Sequence, residues 1–373
     1  MVVRGGSRPS RFTQNLFLDI PTMALPGLTR MTARFLSDMF KTANSRSTHQ
    51  GIEDLDRKLM LLLYGDPRIS LNDIAGHLGI SRQAAHHRMK VLERLGVFKN
   101  TRAMISGHYF GVIPVAIWGR SESTPVERAL DRLAESNLTS CVRVAGGNEL
   151  FVMASLRSVS ELDGYVEFVR REAEMSDPTV GMVCFGDGIN PESFDGWRRK
   201  ERYGRLTSLD FKIVTSLQEN ARKPSADIAQ ELGVSAKTVR RHLSSMISDH
   251  SLVFVQPLDL ASGEDMLTML YLDLRSGSNK VKVGGRLIAK DPLHIVYFRS
   301  FSNLPNFLFG LISSNKMKEI QRLVKETRED EDVLAVVPNL LYQERIYRTW
   351  DQEMTARLAS NGGRADSEPP EHR

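Results

Sequence analysis

The stretch SRQAAHHRMK, residues 81–90, concentrates side chains that can hydrogen-bond to nucleic acid. In the major groove arginine pairs with guanine and glutamine with adenine, while other basic residues contact phosphates. We therefore predict that Arg82 and Gln83 contact bases, and that Arg88 and Lys90 lie toward phosphate or along the flank. The alternative is an ordinary packed helix with a solvated polar face. The predicted DNA-binding set here is Ser81, Arg82, Gln83, His86, His87, Arg88 and Lys90.

A second basic stretch, SAKTVRRHLSSM, occupies residues 235–246. Residues 55–100 hold eight Lys or Arg against four Asp or Glu, whereas residues 209–253 hold six against five. The first stretch is therefore the better DNA-binding candidate, and the second is predicted to be a weaker DNA contact or a structural copy. The predicted DNA-binding set of the second stretch is Lys237, Thr238, Arg240 and Arg241.

Metal binding by the histidines is not favoured by their spacing. His86 and His87 are adjacent, so on a helix they point about 100° apart and do not readily chelate one ion. Cys141 and Cys184 lack the CxxC spacing of a zinc site or of a disulfide framework. We expect no metal, no cofactor and no catalytic residue in this chain.

The elements that must position the basic side chains form a helix-turn-helix. Ile74, Ala75 and Leu78 are spaced as the buried face of one helix, and Gly79 follows where a left-handed turn is easiest for glycine. Ser81 is a good N-cap for the next helix. The stretch VFKNTRAMI, residues 97–105, then predicts the short strands of a wing.

The helix-turn-helix occurs twice, with a shift of 154 positions that needs no gap between Leu55 and Ser81. Asp56 matches Asp210 under this shift, and DIAGHLGIS matches DIAQELGVS. Each copy is followed by a segment that alternates strand and helix patterns in the order β-α-β-β-α-β, which is typical of a ferredoxin-like unit. The predicted strand order is 4-1-3-2, which places Cys141 and Cys184 at opposite edges, too far apart for a disulfide.

The fold class predicted is α+β, with two winged helix-turn-helix domains alternating with two ferredoxin-like domains. A partly disordered extension would precede them, with a possible amphipathic helix on Leu28, Met31, Phe35 and Met39, and with Met23 or Met31 as alternative starts. The tail is expected to be disordered after about residue 355. The predicted boundaries are 1–50 for the extension, 51–104 and 206–257 for the helix-turn-helix domains, 105–187 and 258–345 for the ferredoxin-like domains, 188–205 for a basic linker and 346–373 for the tail.

Composition agrees with a globular, multi-domain protein. The 373 residues are 41% hydrophobic and 25% charged, with a formal net charge of +5 that permits an anionic partner. No apolar run reaches the roughly 18 residues of a membrane span. We expect a cytoplasmic, nucleoid-associated protein that has no membrane partner.

The pattern resembles the Lrp/AsnC (feast/famine) family of transcription regulators. The matching segments are LDRKLMLLL (55–63), DIAGHLGIS (73–81) and HRMKVLERLGVF (87–98), followed by the β-α-β-β-α-β unit. The second copy departs from the family pattern: His242, Ile247 and His250 stand where the first copy has Arg88, Glu93 and Gly96.

The resemblance implies binding to double-stranded DNA and pairing of the ferredoxin-like (RAM) domains sheet to sheet. We expect either a homo-oligomer or an intramolecular pseudo-dimer. It also implies an amino-acid-like effector beside the turn between the second and third strands, with a plain tight hairpin as the alternative. The implied effector-binding set is Gly146, Gly147, Asn148 and Glu149.

Two other functions compete with a DNA-binding regulator. Siroheme decarboxylases resemble the same tandem module, and their chemistry needs basic residues for a polycarboxylate and a proton donor. The candidates for that role, none of them spaced as a convincing pair, are His108, Arg143, His294 and Arg299. The third hypothesis is a co-regulator without direct DNA contact.

Overall fold

The computed structural model describes residues 55–56, 58–59, 62–63, 69–94, 102–184, 205–249, 251–255, 266–291 and 293–360. The predicted N-terminal extension with its amphipathic helix lies outside these ranges, as do residues 188–204 of the predicted linker and residues 361–373 of the tail.

The bounds of the helices and strands are as follows. The first half contains α1 (Leu71–Leu78), α2 (Arg82–Arg94), β1 (Arg102–Ile105), β2 (Ile113–Arg120), α3 (Glu127–Leu133), β3 (Thr139–Ala145), β4 (Glu149–Leu156), α4 (Leu162–Glu172) and β5 (Thr179–Met182). The second half contains α5 (Ser208–Leu217), α6 (Ser225–Leu232), α7 (Ala236–Ser248), β6 (Leu252–Val255), β7 (Met266–Leu274), α8 (Lys280–Lys290), β8 (Ile295–Phe301), β9 (Leu304–Ser314), α9 (Met317–Arg328), β10 (Val333–Ile346) and α10 (Trp350–Ser360).

Both helix-turn-helix units have the predicted turn. Gly79 and Gly233 end α1 and α6 with φ angles of 66° and 65°, in the left-handed region that glycine adopts without strain. The Ser81 and Ser235 hydroxyls then accept hydrogen bonds from the backbone N–H of Ala84 and Thr238, at 3.1 and 3.0 Å. The same local chemistry therefore builds the turn twice.

The two units are joined by a two-stranded antiparallel ribbon of β1 and β6. One face of the ribbon, which includes Ala103, Ile105 and Phe254, packs into the core of the second unit. On the other face, Met104 and Val253 belong to the apolar cluster that contains the core of the first unit. The predicted wing strand is thus present at residues 102–105, but its partner belongs to the other unit.

The two ferredoxin-like units have the predicted strand order. The strands lie as β5-β2-β4-β3 in the first unit and as β10-β7-β9-β8 in the second, which is 4-1-3-2 in each. Val115 and Ile117 of β2 pack on the helix side of the first sheet, while Ala116 and Trp118 point to the opposite face. This alternation is what a half-buried strand with period two produces.

The two sheets form one eight-stranded sheet, because β10 pairs antiparallel with β3. The sheet folds over on itself: Trp118 of β2 stacks on Phe307 of β9, with ring centroids 5.3 Å apart. The two edge strands of the sheet also meet, because Val183, just after β5, and Phe301 of β8 form an isolated antiparallel bridge. The aromatic interior between the sheets is therefore shared by both halves of the chain.

The two cysteines are free thiols. Cys141 lies on β3, and Cys184 lies just after β5, at the other side of the first four strands. The expectation that they do not form a disulfide is met by this placement.

The expectation of a disordered tail after about residue 355 is wrong for residues 356–360, which complete α10. Leu358 and Ala359 of this helix pack against the core of the second helix-turn-helix. The Trp350 indole N–H donates to the Ser155 carbonyl at 2.8 Å, so the helix also contacts the first ferredoxin-like unit. The sequence does not predict this helix, because few of its residues are buried and the stretch TARLAS shows little apolar periodicity.

Truncating Phe254 to alanine should destabilise the ribbon. The side chain is 4% exposed in the core of the second unit, and removing a buried phenylalanine costs about 3–5 kcal/mol in free energy of unfolding. Urea denaturation of the full chain measures this loss. Leu334→Ala is the control: that side chain is 65% exposed, and its loss should change stability by no more than about 0.5 kcal/mol. Equal effects of the two substitutions would contradict the packing described.

Candidate nucleic-acid interface

Helix α2 presents a polar face formed by five of the predicted DNA-contacting residues. Its apolar residues Ala85, Met89 and Leu92 are buried, which fixes the rotation of the helix against its own unit. Ser81, directly before the helix, is exposed and caps it. The exposed residues of the helix face are Arg82, Gln83, His86, His87 and Lys90.

Helix α7 has the same arrangement with other side chains. Val239, Leu243 and Met246 are buried, and no acidic residue lies on the helix. Thr238 is half-buried, and its hydroxyl lies 2.9 Å from that of Ser235, within the cap. The exposed cations of this helix are Lys237, Arg240 and Arg241. Three cations on one short helix make it a better candidate than the near-neutral balance of its unit predicts.

Arg88 differs from the other predicted contacts, because it forms an ion pair with Asp56. Its Nη1 lies 2.5 Å from Oδ1 of Asp56, a helical residue that precedes α1 in the chain. At the matching positions of the second unit, His242 Nδ1 lies 2.7 Å from Asp210 Oδ1. Each contact joins α2 or α7 to a helical aspartate earlier in the same unit, so we assign Arg88 a positioning role. The sequence repeat indicates this positioning role, because it pairs Asp56 with Asp210.

The turn at residues 146–149, which is predicted to bind an effector, lies where the two halves of the sheet meet. Gly147 and Asn148 have φ angles of 71° and 58°, as a tight left-handed turn requires. Asn339 of β10 donates a hydrogen bond to the Glu149 carboxylate at 2.5 Å. A Cβ on Gly146 would lie 3.4 Å from Asn339 Oδ1, so β10 runs close beside the turn. The four predicted residues therefore border the second half of the chain.

Arg143 and Arg299, two of the four residues considered for enzyme chemistry, both contact Tyr297. Arg143 is fully buried, and its Nε lies 2.7 Å from Glu344 Oε1, while its Nη1 donates to the Tyr297 hydroxyl at 2.5 Å. Arg299 stacks over the Tyr297 ring at 4.9 Å. The charge of Arg143 is thus matched within the protein.

The other two candidates lie elsewhere. His108 follows β1 with its Nε2 atom buried, and burial lowers its pKa from 6.5 to about 3. His294 Nδ1 lies 2.8 Å from Asp291 Oδ1, beside Glu319. These last three residues could supply ligands for a metal ion, but Arg322 forms ion pairs with both carboxylates. An ion-pair cluster that ties α8 to α9 accounts for this arrangement.

Comparison with known proteins agrees with the fold. The family model for winged helix-turn-helix DNA-binding domains matches residues 52–99 and again 206–250. An uncharacterized HTH-type transcriptional regulator of Pyrococcus furiosus is 29% identical over 120 residues, which cover 32% of this chain and 81% of the relative. The HTH-type transcriptional regulator LrpA of Mycobacterium tuberculosis is 27% identical over 131 residues, 34% of this chain and 87% of LrpA. Each relative therefore matches about one third of the chain.

A solved structure resembles both halves together. The siroheme decarboxylase NirDL superposes with a TM-score of 0.52 at 15% identity, covering 82% of this chain and 98% of NirDL. This likeness concerns the fold alone, including its tandem arrangement. The resemblance to the Lrp/AsnC proteins is confirmed, and the winged helix-turn-helix is matched at two places in the chain.

The described part of the chain contains no helix that is long and apolar enough to cross a membrane.

Acidification should destabilise the protein through His108. Its folded-state pKa of about 3 lies below the unfolded value of 6.5, so the unfolded chain binds the proton more readily. The stabilisation is present above pH 6.5 and is lost as the pH falls toward 3, by up to about 1.4 kcal/mol for each pH unit. Urea midpoints between pH 7.5 and 4 should fall less steeply for His108→Gln than for wild type. His87→Gln, at an exposed histidine, is the control, and identical slopes for all three proteins would refute the assignment.

Proposed function

We propose that this chain is a sequence-specific, DNA-binding transcription regulator. The observation that carries the proposal is the pair of recognition helices, each capped by serine, packed by its apolar face and exposed on its basic face. Such a helix can enter the major groove with its N-terminal side chains at the base edges. The curated relatives, which are named as transcriptional regulators, support the same proposal.

A decarboxylase is the less favoured function, and we propose that the chain is not an enzyme. A polycarboxylate substrate needs cations that are free to receive it and a proton donor beside them. Arg143 instead neutralises Glu344 within the buried sheet, and His108 is uncharged at neutral pH. The likeness to NirDL is a likeness of fold at 15% identity, and it carries no chemistry to these positions.

We further propose that an amino-acid-like effector acts at the Gly146–Glu149 turn. The Glu149 carboxylate accepts a hydrogen bond from the Asn339 amide, and the Asn148 side-chain oxygen accepts one from the Tyr342 hydroxyl, so polar groups of both halves of the sheet meet at this turn. A carboxylate suits an ammonium group, and amides suit a carboxylate. Because Asn339 already binds Glu149, an effector would exchange this contact for its own and so alter how the two halves meet.

Affinity for duplex DNA should fall steeply with salt, as expected when several cations release counterions from phosphates. Arg82→Ala with Gln83→Ala should reduce sequence preference, whereas Lys90→Ala should weaken all duplexes alike and lower the salt slope by about 1. Fluorescence anisotropy with labelled duplexes measures both effects. Lys325→Ala removes a cation that is 78% exposed on α9, far along the chain from either recognition helix, and should bind as wild type. Failure of wild-type protein to bind any duplex at low salt would overturn the proposal and favour a co-regulator without DNA contact.

Glu149→Gln should abolish the response to an effector while leaving DNA affinity without effector unchanged. The twenty amino acids are first tested for a rise in the melting temperature of the wild-type protein, since a ligand of the folded state stabilises it by mass action. Glu329→Gln, at an exposed position directly after α9, is the matched control. If no amino acid stabilises the wild type, or if Glu149→Gln responds fully, the effector proposal is wrong.

A further inference from the structure

The two recognition helices share their framework but differ at the exposed positions that would face DNA. The shift of 154 positions pairs glycine with glycine in the turn and serine with serine at the cap. It also pairs the Arg88–Asp56 contact with the His242–Asp210 contact. The structure therefore holds both helices in their units in the same way.

Each exposed position of α2 carries another residue in α7. The pairs are Arg82 with Ala236, Gln83 with Lys237, His86 with Arg240, His87 with Arg241 and Lys90 with Ser244. The retained framework and the changed face together indicate that the two helices dock alike but recognise different bases.

The ribbon fixes the order of the two helices on DNA. β1 and β6 each follow a recognition helix, and they pair antiparallel with Arg102 opposite Val255 and Ile105 opposite Leu252. Under the shift of 154 positions β6 matches residues 98–101, directly before β1. Each pair therefore joins a residue to the counterpart of a near neighbour, as a local two-fold axis between the two units produces. In a homodimer such an axis makes the two half-sites inverted copies of each other. Here both units belong to one chain, so the half-sites are free to differ.

We propose that the operator of this protein is asymmetric, with two unlike half-sites in inverted orientation and in a fixed order. This inference rests on the proposed DNA-binding function and adds the class of site that is bound. The half-site under α2 contains the guanine and adenine that suit Arg82 and Gln83, and the half-site under α7 is rich in guanine, which suits Arg240 and Arg241. The second unit therefore contributes base recognition of its own.

The test is selection of bound duplexes from a random pool with the full chain. Wild-type protein should enrich one motif that has two different halves. Replacing either half by an inverted copy of the other should weaken binding by about 5- to 150-fold for each mismatched base pair. A palindromic wild-type motif, or a motif confined to one half-site, would overturn the asymmetric operator.

Two exchange variants give a sharper result, because they alter exposed or half-exposed positions and leave the buried faces intact. The first variant gives α2 the face of α7, by R82A, Q83K, H86R, H87R and K90S. The second variant gives α7 the face of α2, by A236R, K237Q, R240H, R241H and S244K. Each should enrich a palindrome, built from the α7 half-site in the first case and from the α2 half-site in the second.

The outcomes separate this inference from the proposed function. If the wild-type protein binds no duplex, the protein is not a DNA-binding regulator. If wild type binds tightly and both exchange variants enrich the wild-type motif, the proposed DNA-binding function is unaffected. That result would refute base recognition by these two helix faces. Thermal melting of each variant checks that it is folded, and a variant that melts like wild type but enriches no palindrome also counts against the inference.

Discussion

The antiparallel pairing of β1 with β6 is the contact on which the arrangement of the DNA-binding part depends. A two-stranded ribbon of four-residue strands is marginal in water by itself. This one is stabilised because both of its faces are buried: Phe254 and Ile105 lie in the core of the second unit, and Met104 and Val253 lie in the apolar cluster that also contains the core of the first unit. The core of the second unit therefore includes residues from the first half of the chain.

A second constraint operates in the large sheet, where β10 lies against β3. Arg143 and Glu344 stand opposite each other in the register of these strands, and both are buried. Slipping the register by one residue would move each side chain to the other face and leave a charge without its partner in a low-dielectric interior. The ion pair therefore specifies how the two ferredoxin-like units meet, whatever its net contribution to stability. Tyr297 joins this contact from β8, so the alignment of three strands is coupled.

Much of the fold follows from local patterns in the sequence. Gly79 and Ser81 specify the turn and cap, and the ungapped repeat places the same residue types at Gly233 and Ser235, so both units form the same turn. Alternating apolar residues with a glycine turn at 146–147 give the ferredoxin-like order, and the 4-1-3-2 arrangement follows from it. Local patterns do not predict which strand pairs with an exposed strand edge. The pairing of β1 with β6 and of β10 with β3 joins residues about 150 to 200 positions apart.

The candidate site was predictable to a similar degree. The exposed face of α2 follows from helical spacing, because Ala85, Met89 and Leu92 define the buried side. The role of Arg88 does not, since a basic residue on a recognition helix looks the same whether it contacts phosphate or an aspartate on another helix. Helix α10 is not predicted for a related reason: two of its three buried residues, Asp351 and Thr355, are polar, so its sequence lacks an apolar stripe.

The β3–β10 pairing also bears on how this protein behaves among relatives that carry a single copy of the module. An interface between separate chains dissociates on dilution and can exchange subunits with any homologue that presents a similar surface. Here the equivalent surfaces are tethered, and an intramolecular partner is present at an effective concentration on the order of millimolar. Pairing of the two halves is therefore independent of protein concentration, unlike pairing between separate chains. Duplication within one chain thus favours pairing of the two halves with each other over pairing with a homologue.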